Sequence, residues 1–283
     1  MSGSSRLTKL VDFSDLDGSE AKLRAELETA TGDDKLEVET QIARVMGLNG
    51  NYDQALELLA QVRFQMPEGN SRVRVRVELE EGRCHRDQHQ VAEALACFER
   101  AMAAALEIQD EYLAMDAAHM VAITGDSAQQ IEAGEHALKL VERIKDLEAK
   151  HWLGPILNNL GWTYLDAGQY DRALEQFQHA VEVRREGPKR PFLIARYTVA
   201  HTLRMMGRFH DALAELPDLQ RDNIAEGGES PFVHEEIAEC LYGLGKNMQA
   251  KVFFRKAYKA MSQMNYLVTG EPERLNRIKM LAE

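Results

Sequence analysis

Apolar side chains recur along this chain at the three- and four-residue spacing of one helix face, and almost nowhere at the two-residue alternation of a half-buried strand. The exception is Arg72-Val73-Arg74-Val75-Arg76-Val77, which read alone predicts a strand. The helical pattern predicts a leading helix over 20–30, with Asp17 and Glu20 as a capping box. Helix pairs follow over 34–65, 71–108, 110–146, 149–185, 190–222 and 230–262, and a final helix over 271–282. Gly227-Gly228 reads as a loop, and residues 1–14 as mobile.

A longer period overlies the helical one. A turn followed by an alanine four residues before a larger apolar side chain recurs at Ala55, Ala94, Ala173, Ala212 and Ala250, with Ala133 filling the gap. The steps are 39, 39, 40, 39 and 38 residues. A second small residue stands twelve positions earlier in most copies: Ala43, Gly82, Gly161, Ala200 and Ala238. Two antiparallel helices cross closely only where both side chains are tiny, and large neighbours such as Tyr164 and Phe177 then fill the flanks. In the third copy Val121 stands where a small residue belongs, so the register there is expected to slip by one onto Ala122. Pro217 falls inside the fifth copy's second helix and is expected to kink or shorten it. The same register settles the Arg72–Val77 run: Gly82 lies twelve residues before Ala94, so the run begins a helix.

The best copy reads Leu157, Leu160-Gly161, Tyr164, Ala173, Phe177 and Ala180, with Pro188 beyond. This pattern resembles the tetratricopeptide repeat, over roughly residues 33 to 262. Its step exceeds the usual 34 residues and is similar to that of the subgroup holding kinesin light chains, bacterial Rap regulators and spindle-orientation adaptors. The resemblance implies an all-α, right-handed superhelix (an α-solenoid) of about six helix-turn-helix units with flanking helices. It divides the chain into a flexible tail with leading helix (1–32), the repeat array (33–267) and a capping helix (268–283), whose Leu275, Ile278, Met280 and Leu281 would cover the terminal edge.

In that family the first helix of each unit, helix A, lines a concave peptide-binding face. The resemblance therefore implies a groove formed by Asn158, Asn159, Trp162, Tyr197, His201, Arg204, Arg83 and Arg76. In long-repeat relatives an asparagine just before the Leu-Gly pair bonds the backbone of a bound peptide, and Asn159 matches that position best. An amide offers donor and acceptor together; the alternative is that both asparagines simply face solvent. Trp162 and Tyr197 would be aromatic anchors, or would pack only between repeats. Arg44, Arg76, Arg83 and Arg86 against Glu235, Glu236 and Glu239 would make the groove basic at one end and acidic at the other, unless they form an ordinary solvated face. No unit supplies the Lys-then-Asn pair of a chaperone-type carboxylate clamp, so Hsp70 or Hsp90 tails are not supported.

Composition narrows the function further. A net charge of −12 argues against nucleic acid and anionic membranes as partners. With 45% hydrophobic residues the chain can build a core without metal or disulfide, and three cysteines outside CxxC spacing fit a reducing compartment, with the cytoplasm as default. There is no signal-like apolar stretch and no run of about 20 apolar residues for a membrane span. No GxSxG, HExxH, Walker A or GxGxxG motif occurs. Cys84, His85 and His89 could form a partial metal site, but they straddle a turn and lack a fourth ligand. The expectation is a non-enzyme needing no cofactor or metal, a scaffold or adaptor for a peptide or partner protein. The alternatives are a peptide-responsive Rap-like regulator and a non-catalytic subunit of an enzyme complex.

Overall fold

The structure, a computed structural model, describes residues 3–66, 68–69 and 71–283. Among these every regular element is helical. The short α1 (Gly3–Thr8) and α2 (Leu16–Leu27) precede α3 (Gly32–Leu48) and α4 (Tyr52–Gln65), α5 (Arg72–Asp87) and α6 (Val91–Glu107), α7 (Glu111–Ala122) and α8 (Ser127–Val141). A 3-10 turn, Ala149–Trp152, leads into α9 (Leu153–Asp166) and α10 (Tyr170–Arg184). Then come α11 (Lys189–Met205) and α12 (Phe209–Ala225), α13 (Pro231–Gly243) and α14 (Asn247–Met261), with α15 (Asn265–Gly270) and α16 (Pro272–Ala282) at the end. The chain divides into two compact units, Met1–Leu160 and Gly161–Glu283, the division falling within α9.

The six expected pairs are present, and their crossings obey one rule. Each buries a small residue on the first helix and another twelve positions later on the second: Ala43 and Ala55, Gly82 and Ala94, Ala122 and Gly134, Gly161 and Ala173, Ala200 and Ala212, Ala238 and Ala250. How close the helices come is measured at Gly161, where an added Cβ would lie 2.5 Å from Phe177 Cε1, and at Gly82, 2.5 Å from Phe98 Cε1. Neither position admits even alanine without movement of the ring. Phe98, Phe177 and Phe254, four residues after the small position of their second helices, are wholly buried.

The third pair corrects the sequence reading. Ala133 is only half-buried while Gly134 is buried, with Leu160 packed over it. Both helices have slipped by one, so Ala122 and Gly134 keep the twelve-residue offset that Ala133 had obscured. The cause is a different turn. In the other five pairs a left-handed residue stands five positions before the small one: Gly50, Gly168, Gly207, Gly245 and, in the second pair, His89 at φ 63°. In the third pair α7 ends early, Gly125 makes the turn, and Asp126 with Gln129 forms a capping box that starts α8.

Of four further expectations, the first holds and the others are altered. Arg72–Val77 opens α5, capped by the Ser71 hydroxyl accepting from the Arg74 amide. Pro217 does not shorten α12, which runs on through it with Leu216 and Leu219 buried on either side. Of the stretch read as mobile, residues 1 and 2 lie outside the described residues, but α1 is helical, and Leu7 and Val11 are buried with Leu23, Val38, Ile42 and Val45. Finally, α2 begins earlier than expected: Asp15 caps it through the Gly18 amide (2.9 Å), while Glu20 pairs with Arg24 instead of completing a box with Asp17.

Candidate functional site

Residues of the first helices that lie off the pair's own core must meet either solvent or the next first helix. In the first unit they meet each other through charges. Arg76 is 2% exposed and donates to Glu37 (3.0 Å), which also receives Arg72 (2.9 Å). Arg83 donates to Glu80 (2.5 Å) and to Asp116 (2.6 Å), joining α5 to α7. Arg76 is therefore no groove surface: a guanidinium packed between helices needs a carboxylate from its neighbour, and Glu37 stands one repeat step away in sequence. That signal was available, since opposite charges one step apart recur as Glu235 with Arg274 (2.5 Å) and Glu239 with Arg277.

The expected basic and acidic ends are corrected by the same pairing. Arg44 faces Glu80 at 3.8 Å and Arg86 holds Asp87, while in the second unit Glu236 receives His201 and Arg204. Each charge set is paired within its own unit, Arg44 the most loosely.

Beside the Arg83 network the first unit holds a cavity of about 410 Å³. Arg44, Glu80, Arg83, Arg86, Asp87 and Asp116 supply its charged lining, Tyr112, His119 and Trp152 its rings, and Thr8 and Phe13 border it from the N-terminal segment. The rings are packed together, with His119 5.0 Å and Tyr112 6.2 Å from Trp152 between centroids. The Phe13 ring stands 5.7 Å from the Arg44 guanidinium carbon. Three buried polar atoms here have no hydrogen-bond partner among the described residues: Arg44 Nε, Glu80 Oε2 and His119 Nδ1.

Electrostatics separate the two arginines. Burial lowers the Arg44 pKa, and the like charge of Arg83 lowers it further. For Arg83 burial acts the same way but is outweighed by Asp116 and Glu80, so its pKa is raised. Burial alone would push the Asp116 carboxyl up, yet Arg83 and Arg44 hold it below the ordinary carboxylate range. Burial drops His119 to about 4 from 6.5, against the opposing pull of Asp116. Between those values the unfolded chain binds a proton at His119 that the folded chain does not, so this group makes stability fall as pH drops from 6.5 to 4. His119→Phe should flatten the pH dependence of urea unfolding across that window, by up to about 1 kcal/mol per pH unit relative to the wild type. Parallel curves for the two proteins would refute a buried neutral imidazole.

The second unit gathers four of the expected groove residues. Trp162 meets Phe177 edge-on at 5.6 Å and lies 5.5 Å from His201, on which Tyr197 stacks at 5.9 Å. Glu236 lies buried beneath them, accepting from Arg204 (2.6 Å) and bonded to His201 Nδ1 (2.8 Å). Burial would raise the Glu236 pKa, but His201 and Arg204 lower it, and burial followed by Glu236 pushes the Tyr197 hydroxyl up. Trp162, Tyr197, His201 and Arg204 are each half-buried, leaving ring edges and one guanidinium in reach of solvent. Asn158 and Asn159 belong to the first unit, where Asn158 donates to Asn159 Oδ1 (3.3 Å).

The candidate metal ligands are not brought together. Cys84 is buried, His85 bonds Gln90 (2.5 Å), and His89 forms the left-handed turn. Glu78, Glu81 and Cys97 do cluster, but Arg63 bonds both glutamates and Arg100 bonds Glu78 and Cys97, so guanidinium groups already supply the positive charge.

Residues 114–186 match the family model of the tetratricopeptide repeat. No curated protein matches the sequence. Solved structures share the fold. The apo form of RapI superposes with a TM-score of 0.72 at 12% identity, over 98% of this chain and 80% of that one. A STAND protein with a tetratricopeptide repeat sensor from Pyrococcus horikoshii gives 0.68 at 13%, over 95% of this chain but only 44% of its own length. The apo quorum sensor NprR from B. thuringiensis gives 0.52 at 14%, over 96% and 83%. No described helix is long and apolar enough to cross a membrane. Residues 114–186 thus match the tetratricopeptide repeat, and the chain as a whole shares the fold of solved helical-repeat proteins.

Proposed function

We propose that the chain is an interaction scaffold or adaptor that binds a segment of a partner protein along the first helices of its repeats, by binding and not by catalysis. The observation that carries this reading is the half-buried run of Trp162, His201 and Tyr197, with Arg204 beside it. Aromatic and arginine side chains of this kind give large contact area at small entropic cost, which is why they dominate interaction hot spots. In the first unit, Asn158 and Asn159 separately offer amides able to pair with a peptide backbone. Three buried free cysteines suit a reducing, cytoplasmic setting. A second reading, a peptide-responsive regulator, draws on the likeness in fold to RapI and to the quorum sensor NprR.

The test is capture by the full-length protein from its native extract, comparing wild type with Trp162→Ala and Asn159→Ala, each checked for an unchanged helical melt. A partner retained by wild type should be reduced about tenfold with Trp162→Ala, the loss of one hot-spot ring. Equal recovery on all three proteins would remove the first-helix face as the binding surface.

A further inference from the structure

The last second helix, α14, differs in charge from the other five. Each of those carries acidic residues on its exposed side, among them Glu57, Glu99, Glu132, Glu175 and Glu215. Around α14 no acidic residue occurs from 240 to 270, in a chain whose net charge is −12. Met248, Val252, Arg255 and Lys259 stand at i, i+4, i+7 and i+11, so they share the face opposite the buried Ala250, Phe254, Ala257 and Met261. Lys251 and Lys256 flank that stripe, one on each side. Met248 is 80% and Val252 51% exposed, so two apolar side chains stand in water amid four cations. Arg255 donates its Nε to Ala282 O (2.7 Å), and Lys256 lies 3.6 Å from Glu229. Lys251 and Lys259 have no ion-pair partner among the described residues. Lys251 with Arg255, and Arg255 with Lys259, are like charges one turn apart, which weaken a helix instead of supporting it. Packing within the repeat calls for none of this.

We propose that this face of α14 is a docking surface for an acidic amphipathic helix of a partner protein. The partner's apolar side chains cover Met248 and Val252, and its carboxylates on either side pair with Lys251, Arg255, Lys256 and Lys259. Charge complementarity selects this occupant. A nucleic acid needs a broad basic surface, whereas these cations lie on one helix about 22 Å long in an acidic chain, and half of the stripe is apolar. An anionic membrane calls for large apolar side chains to insert, and the stripe offers one methionine and one valine. The acidic row on α12 of a second copy, Asp211, Glu215, Asp218 and Asp222, has the same spacing but is already held by Arg208, Arg196 and Arg221. The surface lies on a second helix and stands apart from the Trp162 face, so either reading can fail without the other.

The test uses the full-length protein and a fluorescein-labelled synthetic helix, with Leu at alternating third and fourth positions and Glu at the rest, followed by fluorescence anisotropy. It should bind saturably, and at least about tenfold more weakly once its Glu residues are replaced by Gln or its Leu residues by Ser. Lys251→Glu with Lys259→Glu should weaken binding about tenfold or more, and Met248→Ser with Val252→Ser about fivefold. Both double variants should keep the wild-type helical melt, since none of these side chains is buried. Lys139→Glu with Lys150→Glu, the same change in net charge on exposed positions of the first unit, should leave binding unchanged, as should Trp162→Ala. No saturable binding, indifference to either α14 double variant, or an equal loss with the Lys139 and Lys150 changes or with Trp162→Ala would overturn the proposal. Duplex DNA or phosphatidylserine vesicles held more tightly than the peptide, and released by Lys251→Glu with Lys259→Glu, would overturn the choice of an acidic helix.

Discussion

Arg83→Met is expected to destabilise the first unit by about 3–5 kcal/mol, measured as a shift in urea unfolding followed by circular dichroism. The methionine keeps much of the volume but leaves Glu80 and Asp116, 2% and 1% exposed, without their shared cation. Two buried carboxylates would then have to share the more distant Arg44 or take up protons. Arg83 joins α5 to α7 through Asp116, and Arg44 brings α3 to the same Glu80, so the loss falls on three successive first helices at once. Arg83→Lys should lose less, since one ammonium keeps the charge but not the forked geometry. Adding Glu80→Gln and Asp116→Asn to Arg83→Met should return a substantial part of the stability. A loss below about 1 kcal/mol would mean that the network is a solvated surface pairing.

Phe177→Ala is expected to cost the second unit about 3–5 kcal/mol, because a wholly buried ring is removed from the crossing of α9 and α10. Gly161→Ala should cost about 1–3 kcal/mol for the opposite reason, since its Cβ would lie 2.5 Å from the Phe177 ring. The two changes meet at one contact, so their effects should not add: Gly161→Ala should be nearly harmless once Phe177 is alanine. Additive losses in the double variant would show that glycine is required here for some reason other than the ring.

The repeat was legible because its rule is steric and local. A close crossing demands two tiny residues at a set offset, and no distant part of the chain can relax that demand, so Gly161 with Ala173 and Gly82 with Ala94 can be read from spacing alone. The third pair was only half legible. Ala133 and Gly134 are both small enough, and the choice between them depends on where α7 stops, which is set by Gly125 and the Asp126–Gln129 cap. The N-terminal segment was misjudged for a different reason. Leu7 and Val11 are too few to predict a helix, and they are ordered by Leu23 on α2 and by Val38, Ile42 and Val45 on α3.

The proposed binding face divides along the same line. Trp162, Tyr197, His201 and Arg204 were placed on first helices by repeat register, and the structure brings them within touching distance because residues at equivalent positions of successive repeats are neighbours. Arg76 came from the same register and is buried, since register states which helix face a residue occupies but not whether the next helix brings a carboxylate to it.

Spacing alone thus carries most of the helices, the repeat step and the positions where two stretches of backbone must nearly touch, all consequences of side-chain size at fixed intervals. Which charges pair closely, the wider gap at Arg44 and the cavity beside it come from the packed helices. Those depend on distances between side chains some 30 to 40 residues apart, where an ångström separates a close ion pair from a loose one.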